Sequence, residues 1–280
     1  GNKFLANIRN THAIIHVLRC FENDNITHVD GTIDPVRDKG IIDTELQLKD
    51  LETIENRLGK TQKQAAVGGD KAARRQVELL LQYKTALEQG RSARTVMLDK
   101  EDRRLVADLN LLTDKPVLYV CNVDEASAVT GNAHTEAVRT AIADEQAEML
   151  VVAAASEAEI AELENYDERQ MFLEAMGLEE SGVERLIKAA YKLLDLETFF
   201  TTGADESRAW TYRKGAKAPQ AAGIIHTDFE RGFIRAEVIK YDDYVTLGSE
   251  KACRDAGRIG VEGKEYVVQD GDIMHFLFNV

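Results

Sequence analysis

The sequence has little of what marks secreted or membrane proteins. Its three cysteines, Cys20, Cys121 and Cys253, are odd in number and far apart, so they predict neither a disulfide framework nor a CxxC metal knuckle. No apolar run approaches the ~20 residues of a membrane span. The start at Gly1 lacks an initiator Met and a signal-peptide pattern, which indicates a processed protein or a fragment. We therefore expect a reduced, cytoplasmic protein without a membrane partner.

The sequence also lacks a phosphate-binding loop. Gly59-Lys60-Thr61 resembles the end of one, but the GxxxxGK[ST] pattern requires a second glycine where Ile54 stands. The tripeptide moreover falls within an amphipathic helical pattern instead of between a strand and a helix. Neither GxGxxG nor Asp-x-x-Gly occurs. These 280 residues therefore predict no phosphate cradle, no magnesium ligand and no catalytic residue.

Acidic residues outnumber basic ones, 49 to 35, but one short segment is basic. The net charge is -14 with 30% charged residues, which argues against a protein that binds nucleic acid over its whole surface. Residues 60–75 are the exception, with a local charge of +4 and Asp70 as their one acid. Their basic residues are Lys60, Lys63, Lys71, Arg74 and Arg75. Such a segment is either a solvated helix end or a contact for RNA phosphate, and the sequence favours neither.

Three apolar, β-branched runs predict buried parallel strands. They span Ala13 to Leu18, Pro116 to Cys121 and Met149 to Ala154. Helical patterns follow the second run, at Glu136 to Met149, and the third, at Ala155 to Leu163. The alternation predicts an α/β layer whose parallel sheet is only partial.

Two helical patterns separate the first and second strands. Apolar residues recur at helical spacing from Ile41 to Leu58 and again from Ala73 to Leu87, and Asp70 is placed as an N-cap after Gly68-Gly69. We predict two antiparallel helices that project as an arm, with its tip in the basic segment. Two ordinary helices folded onto the sheet are the alternative.

The last eighty or so residues predict a small, mainly β unit. Alternating patterns occur at Arg208 to Tyr212, Phe233 to Ile239, Tyr266 to Val268 and Ile273 to Val280. Asp270-Gly271-Asp272 predicts a turn and Ala218 to Ile225 a short helix. In a strand, His226, Asp228 and Glu230 would share one face, as metal ligands do, but solvated side chains are the favoured interpretation.

The ends of the second and third strands carry the candidate ligand contacts. Asn122-Val123-Asp124-Glu125 directly follows the second strand, where open α/β sheets bind ligands. It resembles the guanine-reading pattern Asn-Lys-x-Asp, but the longer Glu125 carboxylate displaces the acceptor for guanine. Ala154 and Ala155 end the third strand and are small enough for backbone N–H groups to approach a base. A polar turn and simple close packing are the alternatives.

Several segments together resemble the YchF family, the Obg-like ATPases. Residues 1–9 resemble the end of its second switch region, and residues 16–24 resemble the strand and loop that follow. Asn122-Val123-Asp124-Glu125 matches its Asn-x-x-Glu base motif. Residues 226–238 and Val268-Gln269-Asp270-Gly271-Asp272 resemble its C-terminal TGS domain, a ubiquitin-like β-grasp module.

The resemblance implies three parts. They are a nucleotide-binding domain at 1–36 and 97–196, a helical arm at 37–96 and a TGS domain at 197–280. It further implies a monomeric protein that prefers ATP to GTP, binds Mg²⁺ and associates with ribosomal RNA, most simply on the large subunit. Asn122, Val123 and Glu125 would recognise adenine, with backbone contacts from Ala154 and Ala155. A GTPase and a non-catalytic RNA-binding module are the alternatives, and the chain alone is expected to be inactive.

Overall fold

The computed structural model describes residues 2–66, 70–145, 147–203 and 206–279. The chain divides into two units, Gly1–Ala190 and Tyr191–Val280, each with its own sheet. Among the described helices, none has the length and hydropathy that a membrane crossing needs.

The first unit contains a parallel sheet of three strands in the order β1-β2-β3. They are β1 (Ile14–Arg19), β2 (Val117–Asn122) and β3 (Glu148–Val152). The three predicted strands are confirmed to within one or two residues. The central β2 is buried from Val117 to Cys121, because both of its edges are paired and both of its faces are covered. This burial explains its continuous apolar sequence.

Eight helices accompany this sheet in the described residues. They are α1 (Asn2–Arg9), α2 (Pro35–Ala66), α3 (Lys71–Glu88), α4 (Lys100–Val106), α5 (Ala133–Ala141), α6 (Ala154–Glu162), α7 (Tyr166–Ala175) and α8 (Gly182–Leu193). Short 3-10 helices lie at Ala93–Thr95, Ala107–Leu109 and Glu125–Ser127.

Helices α2 and α3 form the predicted antiparallel pair. Gln47 bonds the carbonyl of Gly90, whereas Glu55 further along α2 pairs with Lys84 further back along α3. Asp70 is the predicted N-cap of α3, since its carboxylate accepts the N–H groups of Ala72 and Ala73. Gly68 and Gly69 lie outside the described residues.

A third helix packs against this pair, which the sequence did not indicate. Val106 of α4 and Leu109 share a hydrophobic core with Ile54 of α2 and Leu80 of α3. Arg75 of α3 also forms a bidentate ion pair with Asp102 of α4. The arm is therefore supported on one side by residues that follow it in the chain.

Helix α5 is shorter than the sequence predicts. The pattern from Glu136 to Met149 indicated one helix, but α5 ends at Ala141 and β3 begins at Glu148. Glu148 pairs with Leu118 and Met149 with Tyr119 of β2. Pairing with a distant strand thus overrides the local helical periodicity, which a short apolar run cannot exclude.

The second unit is a mixed five-stranded sheet with the strand order β5-β4-β8-β6-β7. Its strands are β4 (Leu196–Thr202), β5 (Ser207–Arg213), β6 (Phe233–Ile239), β7 (Ile259–Glu262) and β8 (Ile273–Phe278). Its helices are α9 (Ala218–Ile225), α10 (Thr227–Arg231), α11 (Tyr241–Leu247) and α12 (Glu250–Asp255). The sequence missed β4, β7, α11 and α12.

One prediction for the second unit is wrong. Tyr266 to Val268 is not a strand, because Val267 makes an isolated bridge to Lys217 while the Tyr266 hydroxyl bonds Asp272. His226 is the N-cap of α10, so His226, Asp228 and Glu230 do not line one face of a strand. His226 and Glu230 are exposed, in agreement with the favoured interpretation of solvated side chains.

A buried carboxylate fixes the arm to the segment that precedes β2. Asp50 of α2 is fully buried and accepts the N–H groups of Leu112 and Thr113 at 2.8 and 2.7 Å, together with the Thr113 hydroxyl at 2.8 Å. Burial raises the pKa of Asp50, and these three hydrogen bonds partly offset that effect. The bonds therefore compensate for the cost of placing the carboxylate inside the protein.

Replacing Asp50 should destabilise the fold. Asp50→Ala leaves two buried N–H groups and one hydroxyl without an acceptor, so we expect a loss of about 2–4 kcal/mol in the free energy of unfolding. Urea denaturation followed by circular dichroism measures it. Glu52→Ala on the same helix is the control, because Glu52 is exposed and its ion pair with Lys49 lies at the surface. Equal midpoints for the two variants would contradict this role of Asp50.

Candidate functional site

The loops after β2 and β3 are joined by one side chain. Asn122 is the last residue of β2, and its Oδ1 accepts the N–H of Ala154 at 3.1 Å. Asn122 also lies opposite Val152 at the end of β3, and the Val123 N–H bonds the Val152 carbonyl at 2.9 Å. The two loops that the sequence selected therefore form one surface at the carboxyl edge of the sheet.

Of the residues after Asn122, Val123 and Asp124 stabilise the loop, whereas Glu125 is exposed. Val123 is 3% exposed and belongs to the hydrophobic core beneath the loop, together with Cys20, Ala128 and Val138. Asp124 caps the following 3-10 helix by accepting the Ser127 N–H. Glu125 is exposed, and none of the described residues forms an ion pair or hydrogen bond with its carboxylate. Glu125 is thus the residue of this loop that is free to meet a ligand.

The start of α6 offers backbone donors on the same surface. The first bond back along this helix is made by Glu157 N–H to the Ala153 carbonyl, so the N–H groups of Ala155 and Ser156 precede the helical ladder. Ala153 provides no side-chain cap, and Ala154 and Ala155 are exposed. Of the N–H groups at this helix start, that of Ala154 already donates to Asn122 Oδ1.

The five basic residues of segment 60–75 are all exposed, in the last turns of α2 and the first turns of α3. Four of them have no carboxylate partner among the described residues, namely Lys60, Lys63, Lys71 and Arg74. The phosphate-loop lookalike Gly59-Lys60-Thr61 lies inside α2, where Thr61 is buried and bonds the Arg57 carbonyl. Its rejection is confirmed.

Arg75 differs from the other four basic residues. Its guanidinium donates to both oxygens of Asp102, at 2.9 and 2.6 Å, and to Glu78 at 2.7 Å. These bonds raise the pKa of Arg75, with the Asp102 hydrogen bond as the largest cause. Arg75 therefore holds α3 to α4, which leaves the other four side chains as the free positive charge of the segment.

Three possible metal ligands lie close together, but both carboxylates among them already face an arginine. Side-chain ligand atoms of His28, Asp30 and Asp38 lie within 4.8 Å of one another. However, Asp38 already accepts from Arg37 and contacts His28 Nε2 at 2.8 Å, and Arg37 also approaches Asp30 at 3.7 Å. A cation would compete with the Arg37 guanidinium at both carboxylates.

A buried ionic network under the sheet was missed by the sequence analysis. Lys39 of α2 is 7% exposed and pairs with Asp43 at 2.6 Å and with Glu145. Glu145 also accepts from Tyr119 of β2 at 2.7 Å and from Arg94 at 3.3 Å. Burial alone would raise the pKa of Glu145, but Lys39, Tyr119 and Arg94 lower it. Apart from Lys39 and Asp43, which are one helical turn apart, the members of this network are too far apart in sequence for a local pattern to show it.

Known proteins resemble this chain over its full length. The chain is 52% identical to the "Ribosome-binding ATPase YchF" of Bacillus subtilis, over all of this chain and 76% of that protein. It is 44% identical to "Obg-like ATPase 1" of Rattus norvegicus, covering 71% of that protein. The family YchF-GTPase_C, described as a protein of unknown function (DUF933), matches residues 196–279.

A solved structure is also similar. The structure of the Schizosaccharomyces pombe YchF GTPase aligns with a TM-score of 0.88 at 34% identity, over 99% of this chain and 75% of the solved chain. The alignment includes the sheet edge described above, since it spans nearly the whole chain.

Proposed function

Because this chain belongs to the YchF family of Obg-like ATPases, we propose that the complete protein is a ribosome-associated ATPase that prefers ATP to GTP. The observation that carries this proposal is the Asn122–Ala154 hydrogen bond, which joins the two loops into one surface. Asn122 and Glu125 would read the edge of adenine. Ala155 would contribute its backbone N–H, and Ala154 would position Asn122 through the N–H that it donates to Oδ1. Val123 would support the loop from the core. In this proposal the protein acts in the cytoplasm as a monomer.

The phosphate loop, first switch and Mg²⁺ ligands belong, in this proposal, to a part of the complete protein that these 280 residues do not include. The chain spans about three-quarters of the curated relatives. Among the described residues β1 pairs only with β2, and Ile15 and Val17 of β1 are 45% and 62% exposed. An open strand edge beside exposed apolar side chains suits the addition of further strands.

The 280-residue chain alone should not hydrolyse ATP. Phosphoryl transfer depends on positioning and charge neutralisation by a phosphate loop and Mg²⁺, and the sequence contains no such loop. Phosphate release by the purified chain should equal the buffer background with and without Mg²⁺. Mg²⁺-dependent turnover that a substitution at Asn122 abolishes would contradict this expectation.

The exchange Glu125→Asp tests the base site in a chain extended to the full length of its relatives. The shorter carboxylate restores the acceptor position that guanine requires, so the difference in binding free energy between ATP and GTP should shift towards GTP by roughly 1–3 kcal/mol. Fluorescent nucleotide titration measures both affinities. Asp124→Glu is the matched control, because Asp124 caps the adjacent 3-10 helix.

An unchanged ATP-to-GTP ratio in Glu125→Asp would remove Glu125 from the base site. A wild-type protein that already prefers GTP would instead favour a GTPase, in accord with the name of the Schizosaccharomyces pombe protein.

We further propose that the basic arm tip contacts RNA phosphate, most simply on the large ribosomal subunit. The warrant is positive charge without internal partners, among the described residues, at Lys60, Lys63, Lys71 and Arg74, within a protein of net charge -14. An acidic protein is repelled by RNA as a whole, so binding would depend on one local patch. Arg75 would add to the positive electrostatic potential of the tip instead of contacting phosphate directly, because Asp102 and Glu78 accept hydrogen bonds from its guanidinium.

The double substitution Lys71→Glu with Arg74→Glu should weaken ribosome binding. Each lost phosphate contact should also flatten the log–log salt dependence by roughly 0.7 to 0.9. Cosedimentation across a salt series measures both effects. The fold should persist, because both residues are exposed and an acid in the first helical turn is favourable. The control is Arg139→Glu with Lys188→Glu, which changes net charge equally. Equal loss of binding in both double variants would exclude a specific tip contact.

A further inference from the structure

A cavity lies at the amino end of β2, at the opposite edge of the sheet from the base loops. Its volume is about 690 Å³, and it lies between the end of α1, the arm and the segment that enters β2. Residues that line it include Arg9, Tyr83, Arg103, Asp114 and Lys115. Since Pro116 and the first five residues of β2 lie between Lys115 and Asn122, roughly 20 Å of extended chain stands between the two surfaces. The cavity is therefore not part of the base site.

Three cations with spare hydrogen-bond donors line this cavity. Arg9 donates through one Nη to the Thr53 hydroxyl and has no carboxylate partner among the described residues. Arg103 approaches Asp114 only at 3.7 Å, which is too long for a hydrogen bond. Lys115 donates to the carbonyls of Arg9 and Thr11, and no carboxylate among the described residues forms an ion pair with its ammonium group. Guanidinium and ammonium groups with free hydrogen-bond donors are the groups that recognise phosphate.

The cavity also contains acceptors that lack donors. Asp114 accepts no hydrogen bond in the described part of the chain, and its Oδ1 is buried without a partner. Burial raises the pKa of Asp114, which is a consequence of this missing solvation. Tyr83 is 1% exposed, lines the cavity and has no hydrogen-bond partner among the described residues. A buried polar atom such as Asp114 Oδ1 is rarely left unpaired in native proteins.

The second acid of the lining does not cancel the positive charge. Asp108 is paired outside the cavity with Arg57 of α2 at 2.5 Å. Three cations therefore face one carboxylate, and that carboxylate has an acceptor free. Such a lining suits a ligand that carries an anionic group at one end and hydroxyl donors at the other. A carboxylate that accepts sugar hydroxyls is a recurrent means of holding ribose.

We propose that this cavity binds a small phosphorylated sugar, with its phosphate at Arg9, Arg103 and Lys115 and its hydroxyls at Asp114 and Tyr83. Two kinds of ligand present these groups, namely a free sugar phosphate and the 5′-phosphorylated end of an RNA strand. Its position brings together α3, α4 and the entry to β2, so the bound ligand would contact the arm and the sheet at once.

Isothermal titration of the 280-residue chain with ribose 5-phosphate tests the site. Inorganic phosphate and ribose serve as the two partial ligands, and we expect ribose 5-phosphate to bind about tenfold more tightly than phosphate. Arg103→Gln, at a half-exposed position, should lower the affinity for ribose 5-phosphate and for inorganic phosphate about tenfold. The matched control is Arg139→Gln, an exposed arginine on α5 that does not line the cavity.

The sugar end is tested separately. Tyr83→Phe should reduce the affinity for ribose 5-phosphate towards that for phosphate and leave phosphate binding unchanged. Asp114→Asn should narrow the same difference while tightening phosphate, because it also removes a negative charge 3.7 Å from Arg103. Tyr83→Phe removes only the hydroxyl, so it keeps the test valid if Asp114→Asn fails to fold. A 5′-phosphorylated trinucleotide, titrated beside its unphosphorylated form, separates the RNA source from the free sugar phosphate.

Binding from either source that Arg103→Gln weakens and Arg139→Gln preserves supports the proposal. No detectable binding of any phosphorylated probe at millimolar concentration overturns it. Equal affinities in Arg103→Gln and Arg139→Gln also overturn it, and so does unchanged preference for ribose 5-phosphate over phosphate in Tyr83→Phe.

Discussion

The burial of β2 is the constraint on which the first unit depends. This strand pairs in parallel with β1 and β3, and Leu118, Tyr119 and Cys121 are wholly removed from solvent. Parallel pairing brings the carboxyl ends of the strands to one edge of the sheet. The short Asn122 side chain therefore reaches the Ala154 N–H directly. The same pairing puts the amino end of β2 beside the arm, where Asp50 receives the N–H groups of Leu112 and Thr113. One strand thus fixes both surfaces considered for ligands.

The arm is attached to this strand by polar groups that are costly to bury. Lys39 and Glu145 form an ion pair under the sheet, and Glu145 also holds Tyr119 of β2 and Arg94 after the arm. Desolvation makes such a pair a weak source of stability by itself, whereas the loss of one partner leaves an uncompensated charge. Its consequence is specificity of position, because only one placement of α2 satisfies Lys39, Asp43 and Glu145 together.

The sequence predicted those parts of the fold that depend on local pattern. The three strands of the first sheet are short apolar runs, and the arm helices and the Asp70 cap follow from spacing and from one residue type. The prediction failed where a distant partner decides the conformation: Met149 has helical spacing, yet its pairing with Tyr119 makes it part of a strand. Val267 alternates like a strand residue but finds only the single partner Lys217.

The roles of charged residues required the structure for the same reason. Sequence alone places Lys71, Arg74 and Arg75 in one basic run, but only Arg75 reaches Asp102, because the helix turn directs its guanidinium to α4. Asp114 and Tyr83 are separated by the end of the arm, the whole of α4 and two 3-10 helices, so no spacing rule joins them. The unpaired Asp114 Oδ1 becomes informative once its burial is known, since an exposed carboxylate oxygen is satisfied by water. Charge in this protein is thus interpretable only after each cation has been matched to the acid that it faces.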